Sequence, residues 1–196
     1  MNYIKYFRVL ITLLVLVGCK HDNNGDVDNI IITDLEGNWL SSCSYLPSDD
    51  LYQNVELQFK GNEFTYSEYN WFDENCSSPR YTFGARGTFE IGSSYILSSG
   101  ETAKPIDLIR KSWFLTAKSD DYVTAYNDRS FCEVSVWQKD VEVDISSCEV
   151  SPSNTSIYDV FSIENDRLYL GDYTTGSQSS DENRPTKLNT VYFDKI

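Results

Sequence analysis

Residues 55–66 read VELQFKGNEFTY. Val55, Leu57 and Phe59 alternate with Glu56, Gln58 and Lys60; beyond Gly61-Asn62, Phe64 and Tyr66 alternate with Thr65 and Ser67. A two-residue apolar period marks a strand with one buried face. Gly-Asn is a two-residue loop that allows the positive φ of a primed hairpin turn. Folded there, Phe59 faces Phe64 and Leu57 faces Tyr66. One face is then apolar throughout, and a slip by one residue would expose all of it.

The design recurs twice. In YDVFSIENDRLYLGD, residues 158–172, a turn at Asn165-Asp166 sets Ile163 opposite Leu168 and Phe161 opposite Leu170. In CEVSVWQKDVEVDISSC, residues 132–148, a turn at Lys139-Asp140 sets Val136 opposite Val143 and Val134 opposite Ile145. Further strands are expected at 37–45, 80–91, 106–117, 121–127 and 187–194, separated by the turn signals PSDD, SSPR, SSG, KSDD and DENRP. No helical stripe competes with them. The expected fold is all-β: an antiparallel up-and-down barrel, closed or half-open, of about 8–10 strands.

The start of the chain has another character. MNYIKYFR carries Lys5 and Arg8 and no acid, and residues 9–17 are apolar apart from Thr12. This is the plan of a secretory signal, and it is shorter than the roughly 20 residues that a membrane span needs. The stretch ends in Leu-Val-Gly-Cys and resembles the lipobox of bacterial lipoproteins. That resemblance implies cleavage before Cys19 and acylation of its thiol and new amine; two or three acyl chains anchor stably where one does not. Residues 1–18 are thus expected to be a signal peptide, 19–33 the lipidated cysteine and an acidic tether, and 34–196 one barrel domain. Lys20 is not the aspartate that resembles an inner-membrane retention signal. The expected location is the bacterial envelope, anchored by lipid at the outer membrane.

The five cysteines fit this plan. With Cys19 acylated, Cys43, Cys76, Cys132 and Cys148 remain, an even set in an oxidising compartment. Four cysteines allow three pairings. In the 132–148 hairpin, strict register puts Cys132 opposite Ser147, and a one-residue bulge at Ser146-Ser147 brings it to Cys148. Cys132–Cys148 is the preferred bridge, leaving Cys43–Cys76. Each would contribute on the order of 3–4 kcal/mol in the loop-entropy model.

The formal net charge is −14, and residues 1–18 hold two bases and no acid, which makes the remainder −16. Such a surface repels nucleic acid and anionic lipid heads. The single histidine, His21, lies in the tether. The domain therefore has no imidazole for Ser-His-Asp or Cys-His chemistry, and none for a zinc site. Asp49-Asp50 and Asp120-Asp121 are paired carboxylates in turn-like segments, where solvation explains them. Asp22, Asn24, Asp26 and Asp28 have calcium-loop spacing, but Val27 stands where the loop needs glycine and Thr33 where it needs an acid. No catalytic residue, metal or cofactor is expected.

Two resemblances follow from short motifs. Gly37-x-Trp39 in LEGNWLSSC resembles the G-x-W of lipocalins, in which the tryptophan plugs the closed end of the barrel. DDYVTAY is similar to the second lipocalin motif. The last strand, LNTVYFDKI, carries no arginine to cover Trp39. The pieces GNWLSSC, ENCSSPRYTFGARGTFEIG, PIDL, FCEVSVWQKDVEVDISSC, YDVFSIENDRLYLGD and RPTKLNTVYF, in that order, resemble the adenomatosis-polyposis-coli down-regulated family. Its members are half-open, lipocalin-like barrels, and the animal proteins are implicated in binding the acyl chain of Wnt ligands. The resemblance implies a lipocalin-like (calycin-like) barrel that holds an acyl chain; Wnt itself does not carry over to a bacterial lipoprotein. Phe59, Phe64, Tyr66, Phe83, Phe89 and Trp137 are the candidate lining residues. The expected function is binding of a hydrophobic or acylated small molecule. The alternative is a structural or protein-interaction lipoprotein with a filled core.

Overall fold

The computed structural model describes residues 34–151 and 156–196. The expected signal segment, Cys19, His21 and the acidic stretch through Thr33 lie outside the described residues. The elements in chain order are β1 (Gly37–Ser41), β2 (Ser44–Leu46), β3 (Leu51–Lys60), β4 (Glu63–Trp71), β5 (Pro79–Ile91), β6 (Tyr95–Ile96), β7 (Thr102–Ala117), α1 (Asp120–Asp128), β8 (Glu142–Asp144), β9 (Ser156–Glu164), β10 (Arg167–Gly171) and β11 (Leu188–Lys195).

Eight strands form a closed antiparallel barrel in the order β1-β3-β4-β5-β7-β9-β10-β11, and β11 returns to β1. Each barrel strand pairs with the next one along the chain, so this is an up-and-down barrel. Closure leaves no long exposed edge. Of the expected alternatives, the barrel is closed rather than half-open. β2 extends the wall beside β3, β6 pairs with the start of β7, and β8 pairs with its end.

The two tight hairpins have the expected registers. Phe59 pairs with Phe64 and Leu57 with Tyr66; Ile163 pairs with Leu168 and Phe161 with Leu170. Gly61 has φ +60°, and Asn165 and Asp166 have φ 53° and 59°, as two-residue primed turns require. Both turns lie at one end of the barrel with the 92–101 connection. The long connections 42–50, 72–78 and 172–187 and the segment 118–151 lie at the other, and so do both disulfides, Cys43–Cys76 and Cys132–Cys148.

The hairpin end is plugged. Trp39 is 1% exposed, and its Nε1 donates to the Leu35 carbonyl at 2.7 Å. The Lys195 ammonium sits 5.1 Å from the centre of its ring. A lysine of the last strand thus covers the tryptophan by a cation–π contact. Leu57, Phe59, Phe64, Phe89 and Phe193 complete the floor.

One irregularity matters for the interior. The β5–β7 register shifts between Arg86, opposite Ser112, and Gly87, opposite Arg110, so Lys111 is an extra residue on β7. Past this bulge the inward set changes from Ile106, Leu108 and Arg110 to Trp113 and Leu115. Gly87 sits at the tight point: a Cβ there would lie 1.9 Å from the Ile109 carbonyl oxygen.

Two expected elements differ. Residues 121–127 are not a strand but part of α1, so DDYVTAY does not take a strand form. Ser119 caps the helix, its Oγ accepting from the Tyr122 N–H at 3.4 Å, and Asp120 and Asp121 occupy the first turn. Both features favour a helix start. Tyr122 and Tyr126, one turn apart, meet edge-on at 5.6 Å.

The 132–148 segment is not a hairpin. Phe131–Glu133 forms a short 3-10 turn, and only Glu142–Asp144 is strand, with β7 as its partner: Val143 lies opposite Leu115, not Val136. Asn127 holds the path taken instead. Its Oδ1 accepts from the Trp137 N–H at 2.6 Å and its Nδ2 donates to the Trp137 carbonyl at 3.0 Å. One side chain thus takes both backbone groups of Trp137 and fixes the path of the segment there. Trp137 is buried, and Val136 is 61% exposed. The Cys132–Cys148 bridge is present, but a turn in which the Cys148 N–H donates to the Ile145 carbonyl replaces the expected bulge.

Candidate ligand cavity

The barrel interior is not filled. Above the floor lies a cavity of about 460 Å³, lined by residues of β3, β4, β5, β7, β9, β10, β11 and the 172–187 connection. That volume falls within the range of small-molecule sites. Leu57, Phe64, Leu108 and Phe193 belong both to the floor and to the cavity wall. Val55, Ile157 and Leu170 extend the apolar wall, and Phe83 and Trp113 stack at 5.3 Å on another side.

Three charged side chains interrupt this lining: Glu68, Arg110 and Asp159. The Tyr66 hydroxyl donates to the Glu68 carboxylate. Burial pushes the tyrosine well above the ordinary phenol range and raises the glutamate. The Arg110 guanidinium lies 4.7 Å from the centre of the Trp113 ring. Burial lowers its pKa, but arginine keeps its charge in proteins.

Asp159 is buried in the β9 wall. Its Oδ1 accepts from the N–H groups of Val160 at 2.7 Å and Gly171 at 3.1 Å. Burial pushes its pKa up to about 6, against the opposing pull of these hydrogen bonds and of Arg184.

β9 and β10 pair only between Phe161–Glu164 and Arg167–Leu170. Above that stretch the 172–187 connection takes over. The Tyr158 N–H donates to the Gln178 carbonyl at 3.1 Å, and Tyr173 and Gln178 line the cavity. Arg184 pins this connection down. It donates to the Ile106 carbonyl at 3.2 Å, to the Asp159 carbonyl at 2.8 Å and to the carboxylates of Asp107 and Asp181.

Of the six expected lining aromatics, Phe64, Tyr66 and Phe83 line the cavity. Phe59 and Phe89 do not: they pack edge-on at 5.2 Å in the floor beneath it. Trp137 does not either. It packs with Tyr126, Phe131 and Ile145 against the mouth-end stretches of β5 and β7. Its Nε1 donates to the Phe131 carbonyl. Glu68, Arg110, Trp113 and Asp159 were not expected. Glu68 and Asp159 continue the inward period of Phe64-Tyr66 and of Phe161, so extending the alternation through a charged residue would have found them. Arg110 likewise continues the inward period of Ile106 and Leu108, whereas Trp113 lies past the bulge, which breaks the period. Asp49, Asp50, Asp120 and Asp121 are exposed and form no buried carboxylate pair.

Among the described residues no three His, Cys, Asp or Glu side chains gather as a metal site needs, and no helix is long and apolar enough to cross a membrane. No protein-family model matches the chain, and no curated protein matches it.

Proposed function

We propose that the protein is a lipid-anchored barrel that binds a hydrophobic or acylated small molecule in the bacterial envelope. The observation that carries this reading is the cavity of about 460 Å³ above a plugged floor, apolar over most of its wall. The resemblance of its sequence pieces to the adenomatosis-polyposis-coli down-regulated family, whose animal members are implicated in acyl-chain binding, supports the same reading. So does the Leu-Val-Gly-Cys at Cys19, which accounts for the fifth cysteine and supplies the membrane attachment. The tether joins the barrel at its closed end, where Leu35 is buried beside Trp39. No catalytic step is part of this reading.

The test is saturable binding of N-phenyl-1-naphthylamine, a neutral fluorophore that brightens in apolar sites. Leu108 lies at the junction of floor and cavity, and Leu108→Trp would fill the space. The wild type should bind about one probe per chain, and the variant should bind it at least about tenfold more weakly with its melting temperature kept. Binding that does not saturate, or that Leu108→Trp leaves unchanged, would favour an envelope protein that acts through its surface instead.

A further inference from the structure

Resting on the cavity being a ligand site, we infer that its occupant is a neutral amphiphile. It would be an apolar chain with an uncharged, hydrogen-bonding head such as an amide, ester or alcohol, and not a free carboxylate. The part of the cavity that borders the floor is lined by Leu57, Phe64, Leu108 and Phe193. A hydrocarbon chain gains there and a charge would lose its hydration. The chain therefore enters first, and the head lies among the charged groups.

Those groups are two carboxyls, Glu68 and Asp159, and one guanidinium, Arg110. Each carboxyl already holds donors supplied by the fold. The Tyr66 hydroxyl serves Glu68, and the backbone N–H groups of Val160 and Gly171 serve Asp159. A ligand carboxylate would be the third acid in a site with one cation, in surroundings that screen charge poorly. It would also approach against the field of a chain with a net charge of −14. An uncharged head has no such cost. Its oxygen can accept from the guanidinium that Trp113 holds by its face, and a hydroxyl or amide N–H can donate to Glu68. Burial raises the pKa of both carboxyls, so the cavity already disfavours a desolvated negative charge.

The test is competition for the neutral fluorophore by dodecanol, dodecanamide and dodecanoate, near pH 7, on the purified protein with both disulfides formed. The expected order places dodecanoate at least about tenfold weaker than the two neutral compounds. Glu68→Gln removes one of the competing acids and should narrow that gap severalfold by improving dodecanoate alone. Arg110→Gln should weaken dodecanamide. Dodecanoate binding as tightly as dodecanol to the wild type overturns the inference while leaving the ligand barrel intact. Failure of the probe and of all three competitors to bind overturns the barrel reading and this inference with it.

Discussion

The β3–β4 hairpin and the 118–151 segment at the barrel mouth are built from similar residues and held by different means. In the hairpin every inward side chain meets a partner a few residues away, and the turn sets the register: Phe59 on Phe64, Leu57 on Tyr66. In the mouth segment the decisive contacts are specific side-chain grips. Asn127 clamps the backbone of Trp137, the indole donates to Phe131, and the disulfide ties Cys132 to Cys148. Alternation is enough to specify a strand where both faces find the surroundings they suit. It is overruled where a side chain grips the backbone in another path and a large ring has a pocket to fill.

The sharpest way to break this contrast is Trp137→Ala. Trp137 is 1% exposed, so its truncation should cost about 3–5 kcal/mol, read as a lower urea midpoint with loss of the near-ultraviolet signal of the mouth cluster. A cost below about 1 kcal/mol, the scale of a cross-strand pair, would mean that the segment is a simple hairpin after all.

Asp159 sharpens the contrast from the barrel side, because its surroundings are fixed by the wall rather than by the mouth segment. Its folded pKa of about 6 lies above the ordinary aspartate value, so the folded state binds its proton more tightly than the unfolded state does. The stability linked to this group is therefore present at acid pH and is lost as pH rises toward 6, with no further change above. The loss is up to about 3 kcal/mol. Asp73, Glu142, Asp144 and Asp172 are held low by hydrogen bonds and slope the opposite way. The measurement is therefore the difference between wild type and Asp159→Asn in urea midpoints from pH 4 to 8. A flat difference would contradict the burial of this carboxyl.

Two smaller effects address the turns themselves. Gly61→Ala places a side chain at φ +60° and should cost about 1–2 kcal/mol by equilibrium unfolding. Val136→Ser should stay within about 0.5 kcal/mol, because Val136 is 61% exposed. In a hairpin centred on Lys139-Asp140 it would face the core and cost more.

Much of the barrel was legible in the sequence because a closed up-and-down sheet is made of neighbouring strands. The pattern that reveals a strand also reveals its partner, and two hairpins follow from local spacing; of the disulfides, Cys43–Cys76 followed by elimination from the pairing of Cys132 with Cys148. The second pairing emerged from a register that the segment does not adopt; spacing brought Cys132 and Cys148 together by either route. What stayed illegible has particular causes. The Lys111 bulge turned Trp113 into the cavity against the period that Ile106, Leu108 and Arg110 keep. α1 looked like a strand because Tyr122, Val123 and Thr124 suit one, while the Ser119-Asp120-Asp121 cap that starts a helix read as a turn. Phe59 and Phe89 face inward as expected, yet at the depth where Trp39 closes the barrel, and depth is set by strand tilt and stagger, which no single strand records.

The measurement that bears most directly on the central claim is native mass spectrometry of the soluble part of the chain, residues 20–196, purified from the periplasm without detergent. The expected result is a bound mass of one apolar or acylated molecule per chain, released by solvent extraction, on a protein lighter by the hydrogens of two disulfides. A protein that carries no added mass, and takes up none when offered neutral amphiphiles, would contradict it.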